Sequence, residues 1–271
     1  MSSPAQPITF QALALGRHLT IEYYDCDPRI LADSKLMQEI FVNSAKISGA
    51  TVLESSFHDF EPQGVSGIVV ICESHFAVHA WPEHDYAAVD IFTCGDQIDF
   101  DLAANTLRDR LKSRSMVISN TLSRGLIGQD GNVLHEKSSG KSAEGVLSWQ
   151  KRYESLDAWG MLASIDVYDC PVENLTPGNI CSVLNELNQV LHTEPRSTNC
   201  CADFHDPERG KGLRFTRILD AGTITGRYSL DRKALYCDLF LSRFFDPREI
   251  SETLINAMNG SYYRLQVAMR Q

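Results

Sequence analysis

The sequence predicts an α+β fold that occurs twice along one chain, on three observations. Strand-like runs alternate with segments of helical periodicity, a stretch rich in Gly, Ser and charge divides the chain near its middle, and residues on either side of that divide match at nearly constant offsets. With 271 residues, 43% hydrophobic and 22% charged, the chain can bury a sizeable core in each half.

In order, residues 17–24 read as a strand. Leu36, Met37, Ile40, Phe41 and Ala45 then mark one face of a helix that Gly49 can close. Strand-like runs follow near 51–55, 67–72, 74–81 and 86–93. Leu102, Thr106, Leu107 and Leu111 suggest a second helix, and 116–119 a closing strand. Residues 128–148, GQDGNVLHEKSSGKSAEGVLS, have the composition of a linker. This divides the chain into a first domain at 1–127, a linker at 128–150 and a second domain at 151–271.

The second half repeats the order. Shifted by 144, Gly16, Ile21, Tyr24, Asp25 and Cys26 meet Gly160, Ile165, Tyr168, Asp169 and Cys170, and Glu22 meets Asp166. Thr176 and Pro177 open a helix through Ile180, Val183, Leu184, Leu187 and Leu191. The shift then becomes 148, with Asp90-Ile91-Phe92 matching Asp238-Leu239-Phe240 and another helix after it, from Asp246 and Pro247 through Ile250, Leu254 and Met258 to Gly260.

Twenty-five Lys and Arg against 35 Asp and Glu give a net charge of −10 and no basic run. That disfavours nucleic-acid binding, which depends on clustered cations, and suits a cationic ligand. No run approaches the roughly eighteen apolar residues of a membrane span, and the first residues lack a signal-peptide pattern, so a cytoplasmic protein is expected. The eight cysteines form no CxxC pair. Most read as small buried residues of a reducing compartment, and the adjacent Cys200 and Cys201 as packing or incidental.

Reactive side chains concentrate in residues 60–95, FEPQGVSGIVVICESHFAVHAWPEHDYAAVDIFTCG. A hairpin turning near 83 and 84 places Ser74 opposite Thr93 or Cys94, so a hydroxyl and a thiol converge. Strict alternation puts His79 on the other face from Ser74 unless the strand is broken at 74. His75 and His79 are spaced for a metal only on a helix. The interleaved Phe, Val and Trp favour a strand, and no metal is expected. Trp81 and Cys94 are each equally plausible as core residues.

These residues resemble the pyruvoyl-dependent S-adenosylmethionine decarboxylases in their short prokaryotic form. The resemblance spans about residues 15–120 and rests on Pro-Gln-Gly-Val-Ser-Gly, Glu-Ser-His, His-x-Trp-Pro-Glu and Phe-Thr-Cys-Gly, in that order. It implies a chain that cuts itself between Glu73 and Ser74. The Ser74 hydroxyl attacks the Glu73 carbonyl, and β-elimination and hydrolysis then leave a covalent pyruvoyl group at position 74, so that neither pyridoxal phosphate nor a metal is needed. The resemblance further makes Ser66 and His79 helpers of processing, with His79 the base of the elimination, and Cys94 the proton donor in turnover. Phe60 and Trp81 would stack on adenine and Glu83 would hold the ribose.

As to fold, the resemblance implies two-layer α/β sandwich units with mainly antiparallel sheets. Two such units in one chain imply an intramolecular pseudo-dimer of αββα type, open to further homo-oligomers. Around Thr223–Leu235 the second half shows no Glu-Ser-His and a shorter hairpin, so it is expected not to process itself, and Cys237, near the Cys94 counterpart, reads as packing. The expected activity is decarboxylation of S-adenosylmethionine, a small-molecule substrate, for spermidine synthesis. Two rivals remain: arginine or ornithine as substrate, and a non-catalytic partner protein.

Overall fold

A computed structural model describes residues 8, 14–60, 63–94, 97–126, 148–171, 173, 176–196, 200–206 and 210–270. The chain divides into two compact units, Met1–Leu134 and His135–Gln271. The expected linker lies outside the described residues except for its last three. There Ser148 already caps a helix, α4 (Trp149–Ser155), by accepting from Lys151 N.

Unit 1 runs β1 (Ala14–Tyr24), α1 (Pro28–Leu31), α2 (Ser34–Ile47), β2 (Val52–Asp59), β3 (Val65–Ile71), β4 (Ser74–Trp81), β5 (Tyr86–Thr93), α3 (Phe100–Leu111) and β6 (Ser115–Leu126). Its sheet has the order β2-β3-β4-β5-β1-β6 and every pairing is antiparallel. The helix α2 starts where Asp33 accepts from the amides of Lys35 and Leu36, and α3 where Asp99 accepts from Leu102 N.

Met37, Ile40, Phe41 and Ala45 of α2 and Ala103, Ala104, Leu107 and Leu111 of α3 are buried, in one core with Leu19, Ile21, Val69, Phe76, Val78, Val89 and Ile91 of the sheet. Each large apolar side chain so buried contributes about 1.5–3 kcal/mol. Leu36 and Leu102, assigned to the core by periodicity, are instead exposed. The buried arc of each helix begins one residue later, at Met37 and Ala103. The closing strand is also longer than the expected 116–119, because β6 pairs along the whole of β1 with Ser119 as an extra residue between Thr20–Asn120 and Ile21–Ile118.

Unit 2 contains α4, β7 (Gly160–Tyr168), α5 (Pro177–Leu191), β8 (Cys200–Asp206), β9 (Gly210–Leu219), β10 (Gly222–Ser229), β11 (Ala234–Leu241), α6 (Pro247–Ala257) and β12 (Tyr262–Arg270). Its order, β12-β7-β11-β10-β9-β8, is that of unit 1 strand for strand. Details repeat as well. Gly16 and Gly160 each leave room for an aromatic ring, since an added Cβ would stand 2.5 Å from Phe92 in one unit and 2.5 Å from Phe240 in the other. Left-handed residues recur at Asp25 and Asp169 and at Asp85 and Lys233. The duplication expected from residue matches is therefore present as topology.

Contrary to expectation, the second-half hairpin is not shorter: β4 and β10 both have 8 residues, and the Trp81–Tyr86 and Ser229–Ala234 end pairs each enclose a four-residue connection, 82–85 and 230–233.

Candidate active site

On the sheet face away from the helices, unit 1 buries polar side chains: His18, Thr20, Glu22, Ser66, His75, His79, Asp90 and Arg124. A buried polar group needs partners, and several are evident. The Tyr86 hydroxyl and Ser119 Oγ (2.8 Å) both donate to the Glu22 carboxylate. Ser66 Oγ lies 2.8 Å from His79 Nδ1, across the directly opposed Ser66–His79 pair of β3 and β4.

The junction between Glu73 and Ser74 sits where β3 turns into β4. Ile71 and Ser74 pair across a two-residue turn, Cys72-Glu73. The turn is tied down from outside: Cys72 N donates to Thr51 O (2.8 Å), and Thr51 N donates to Glu73 Oε2 (3.2 Å). Cys94 N donates to the Glu73 carbonyl oxygen at 2.8 Å. An N–H so placed polarises the carbonyl and would stabilise an oxyanion formed there. Ser74 has φ 153°, a backbone region suited to glycine. The hairpin register is as expected, with Ser74 opposite Thr93 and Cys94 next along the chain. No bulge interrupts β4; the break that strict alternation called for lies in the Ser74 backbone itself.

The structure brings Glu73, Ser74 and Cys94 together but does not bring His79 to Ser74. They stand five positions apart on a continuous strand, about 16 Å along β4 and more than a side chain spans. Ser66, paired with His79, shares that distant end. So do the expected binding residues. Trp81 is half-buried at the end of β4 with its ring 5.3 Å from Tyr86, which itself lies 5.3 Å from Tyr24. Glu83 is exposed in a one-turn 3₁₀ helix, Pro82–His84, and Phe60 is half-buried with its ring 5.0 Å from His58. Beside that turn opens a cavity of about 580 Å³ lined by Asp25, Asp27, Asp85, Lys112 and Arg114. Glu61, Pro62 and Gly95 of the motif lie outside the described residues.

A family model described as S-adenosylmethionine decarboxylase matches residues 17–125. The S-adenosylmethionine decarboxylase proenzyme of Caldicellulosiruptor saccharolyticus is 49% identical over 120 residues, which are 44% of this chain and 96% of that protein. The chain belongs to the S-adenosylmethionine decarboxylase family. The proenzyme of the same name from Acetivibrio thermocellus is 53% identical over 103 residues, 38% of this chain and 83% of that protein. Among solved structures, the adenosylmethionine decarboxylase of Aquifex aeolicus VF5 aligns with 45% of this chain and 99% of its own at 28% identity, with a TM-score of 0.41.

The family match falls within the first unit, and the shared register shows what stands at each site position in the second. Gly222 faces Leu241 as Ser74 faces Thr93, and Thr223 follows where His75 does. Arg214 pairs with Arg227 where Ser66 pairs with His79. Ser242 N donates to Ala221 O at 2.8 Å, as Cys94 N does to Glu73 O. The Cys94 counterpart is therefore Ser242. Cys237 lies five residues earlier, fully buried in the unit 2 core, so its packing role stands. Cys201 also packs against that core, and the Cys200 side chain lies outside the described residues.

Sequence reasoning passed over His75, weighing it only as a metal ligand, yet its Nδ1 is 3.2 Å from Ser74 Oγ. It also missed the Cys94 amide, since a backbone donor leaves no residue-type signal. Among the described residues no three His, Cys, Asp or Glu side chains stand together to hold a metal, and no helix is long and apolar enough to cross a membrane.

Proposed function

We propose that this chain decarboxylates S-adenosylmethionine with a pyruvoyl group that it makes from Ser74 by cutting itself after Glu73. The observation that carries the reading is the Glu73–Ser74 junction: a serine at φ 153° follows a carbonyl that already accepts from Cys94 N. Strain in the serine backbone and polarisation of the carbonyl both favour attack by a weak hydroxyl nucleophile. These residues fit a pyruvoyl group. Once formed it supplies the electron-withdrawing carbonyl that makes loss of CO2 possible.

The chain's own residues divide the remaining work. The Cys94 thiol, next to the junction, protonates the substrate carbon after CO2 leaves. Phe60 and Trp81 hold the adenine face-on, and the Glu83 carboxylate takes the ribose hydroxyls. Because His79 is about 16 Å from the Ser74 of its own strand, the Ser66–His79 pair and the neighbouring binding residues serve the Ser74 of a second copy of the chain. Unit 2 offers no substitute pair, since Arg214 and Arg227 occupy those positions. Family membership and the relatives' names favour S-adenosylmethionine over arginine or ornithine.

Mass spectrometry of purified protein tests the cut: two chains are expected, the second beginning at position 74 without a free amine. One unbroken chain in active protein would overturn the reading. CO2 release from labelled S-adenosylmethionine, arginine and ornithine tests the substrate, and release from either amino acid alone would replace it.

A further inference from the structure

Resting on that self-processing reading, we infer that His75 is the base of the first processing step, the acyl shift, and that it acts on the serine of its own chain. Its Nδ1 stands 3.2 Å from the Ser74 hydroxyl, within reach for proton transfer. Adjacent residues of a regular strand point to opposite faces, so this contact depends on the departure of the Ser74 backbone, φ 153°, from strand geometry. The same departure that strains the junction thus delivers the hydroxyl to an imidazole.

The ring is held in place. His75 is 4% exposed and meets Phe92 (6.0 Å between centroids, 62°) and His18 (6.4 Å, 77°) edge-on. Phe92 lies under the Arg124 guanidinium at 4.7 Å and fills the space that Gly16 leaves. His18 Nε2 is 3.6 Å from Asp90 Oδ1. Packing on this scale limits the rotamers of His75, and a fixed base is an efficient one. His79 Nδ1, by contrast, is engaged with Ser66 at the far end of the strand.

The step balances within the chain. With the imidazole proton on Nε2, Nδ1 takes the Ser74 hydroxyl proton as Oγ bonds to the Glu73 carbonyl carbon. The carbonyl oxygen becomes an oxyanion facing Cys94 N–H. When the carbon–nitrogen bond breaks, the imidazolium gives the same proton to the Ser74 nitrogen. An ester and a free amine remain, and the histidine is neutral again. The elimination that follows is a separate step, with its own base.

Hydroxylamine separates the two steps because it cleaves an ester and leaves an amide intact. Wild-type protein is expected to split into two chains. His75→Ala should stay as one chain that resists hydroxylamine, with splitting slowed at least about 100-fold. His75→Asn, which keeps a hydrogen-bond acceptor near the Nδ1 position without its basicity, should behave the same way and guards against misfolding as the cause; circular dichroism checks that both variants are folded. His79→Ala should also stay unsplit, but hydroxylamine should cut it after Glu73. Mixing His75→Ala with Ser74→Ala chains should not restore splitting, because the base acts in its own chain. Splitting of either His75 variant at the wild-type rate, a hydroxylamine-sensitive bond in His75→Ala, or rescue by mixing would each overturn the inference. Failure of the wild type to split would instead overturn the reading it rests on.

Discussion

Replacing Ser74 by glycine and by alanine measures the strain stored at the cut site, because the two substitutions should fall in the unusual order. In an ordinary strand glycine is less stable than alanine by roughly 0.5–1 kcal/mol, since it loses more backbone freedom on folding. At φ 153° a residue with a Cβ costs on the order of 1–3 kcal/mol, and glycine avoids that cost. The centres of those ranges leave about 1 kcal/mol in favour of Ser74→Gly. Both variants lack the hydroxyl and stay uncut, so the comparison is between intact chains. Trp81 is the one tryptophan in the first unit, so urea unfolding followed by its fluorescence in a Trp149→Phe, Trp159→Phe background reports that unit. The expected result is a higher urea midpoint for glycine at unchanged slope. An alanine variant more stable than the glycine variant by the ordinary margin would remove the strain argument. In the second unit the register equivalent is Gly222, which is not at positive φ; an added Cβ there would stand 1.9 Å from the Phe240 carbonyl oxygen, so glycine at that position answers a close backbone approach.

Three other outcomes are expected. Cys94→Ala keeps the backbone N–H that holds the Glu73 carbonyl, so the chain should still split, while turnover of S-adenosylmethionine falls about 100- to 10,000-fold in steady-state assays. Trp81→Ala should raise KM by tens-fold with little change in splitting, in line with roughly 1–3 kcal/mol for a base stacked on an aromatic ring. Burial pushes the Cys26 thiol up to about 12, above its ordinary 9.0. Above pH 9 the unfolded chain loses this proton and the folded chain keeps it, so stability should fall from pH 9 towards 12, and Cys26 should resist iodoacetamide at pH 8 in native protein; rapid alkylation there would contradict its burial.

Much of the architecture was legible because both periodicities are strong. Helix α5 carries its cap at Thr176, Pro177 behind it and five apolar residues at helical spacing, all visible in the sequence. The Ser74–Thr93 register followed from one turn position. Leu36 and Leu102 escaped because apolar residues flank the buried arc of a helix as well as fill it, and spacing alone does not locate the edge. Ser242 escaped because the counterpart of Cys94 is set by strand pairing, while residue type pointed to Cys237. The φ of Ser74 has no signature in residue type. The distance between His79 and Ser74 was legible all along: five strand residues at about 3.3 Å each place them apart, whatever the motif suggests.

That distance makes the ownership of His79 a question with a decisive experiment. If Ser74 is served by a Ser–His pair from outside its own strand, the source of that pair is either the second unit or a second copy. The second unit carries Arg214 and Arg227 in those positions, and a guanidinium has no lone pair to accept a proton at any working pH. A second copy is what remains, and two-fold pairing would let each chain serve the other. Chains with His79→Ala have a junction to cut but no elimination base; chains with Ser74→Ala have the base but no junction. Alone, neither should yield two fragments. Co-expressed in equal amounts, random assortment into two-fold pairs should let about half of the His79→Ala chains split, with fragment masses that identify which chain was cut. If the mixture stays as uncut as its components, His79 works inside its own chain or not at all, and the assignment of that pair to a neighbouring molecule fails.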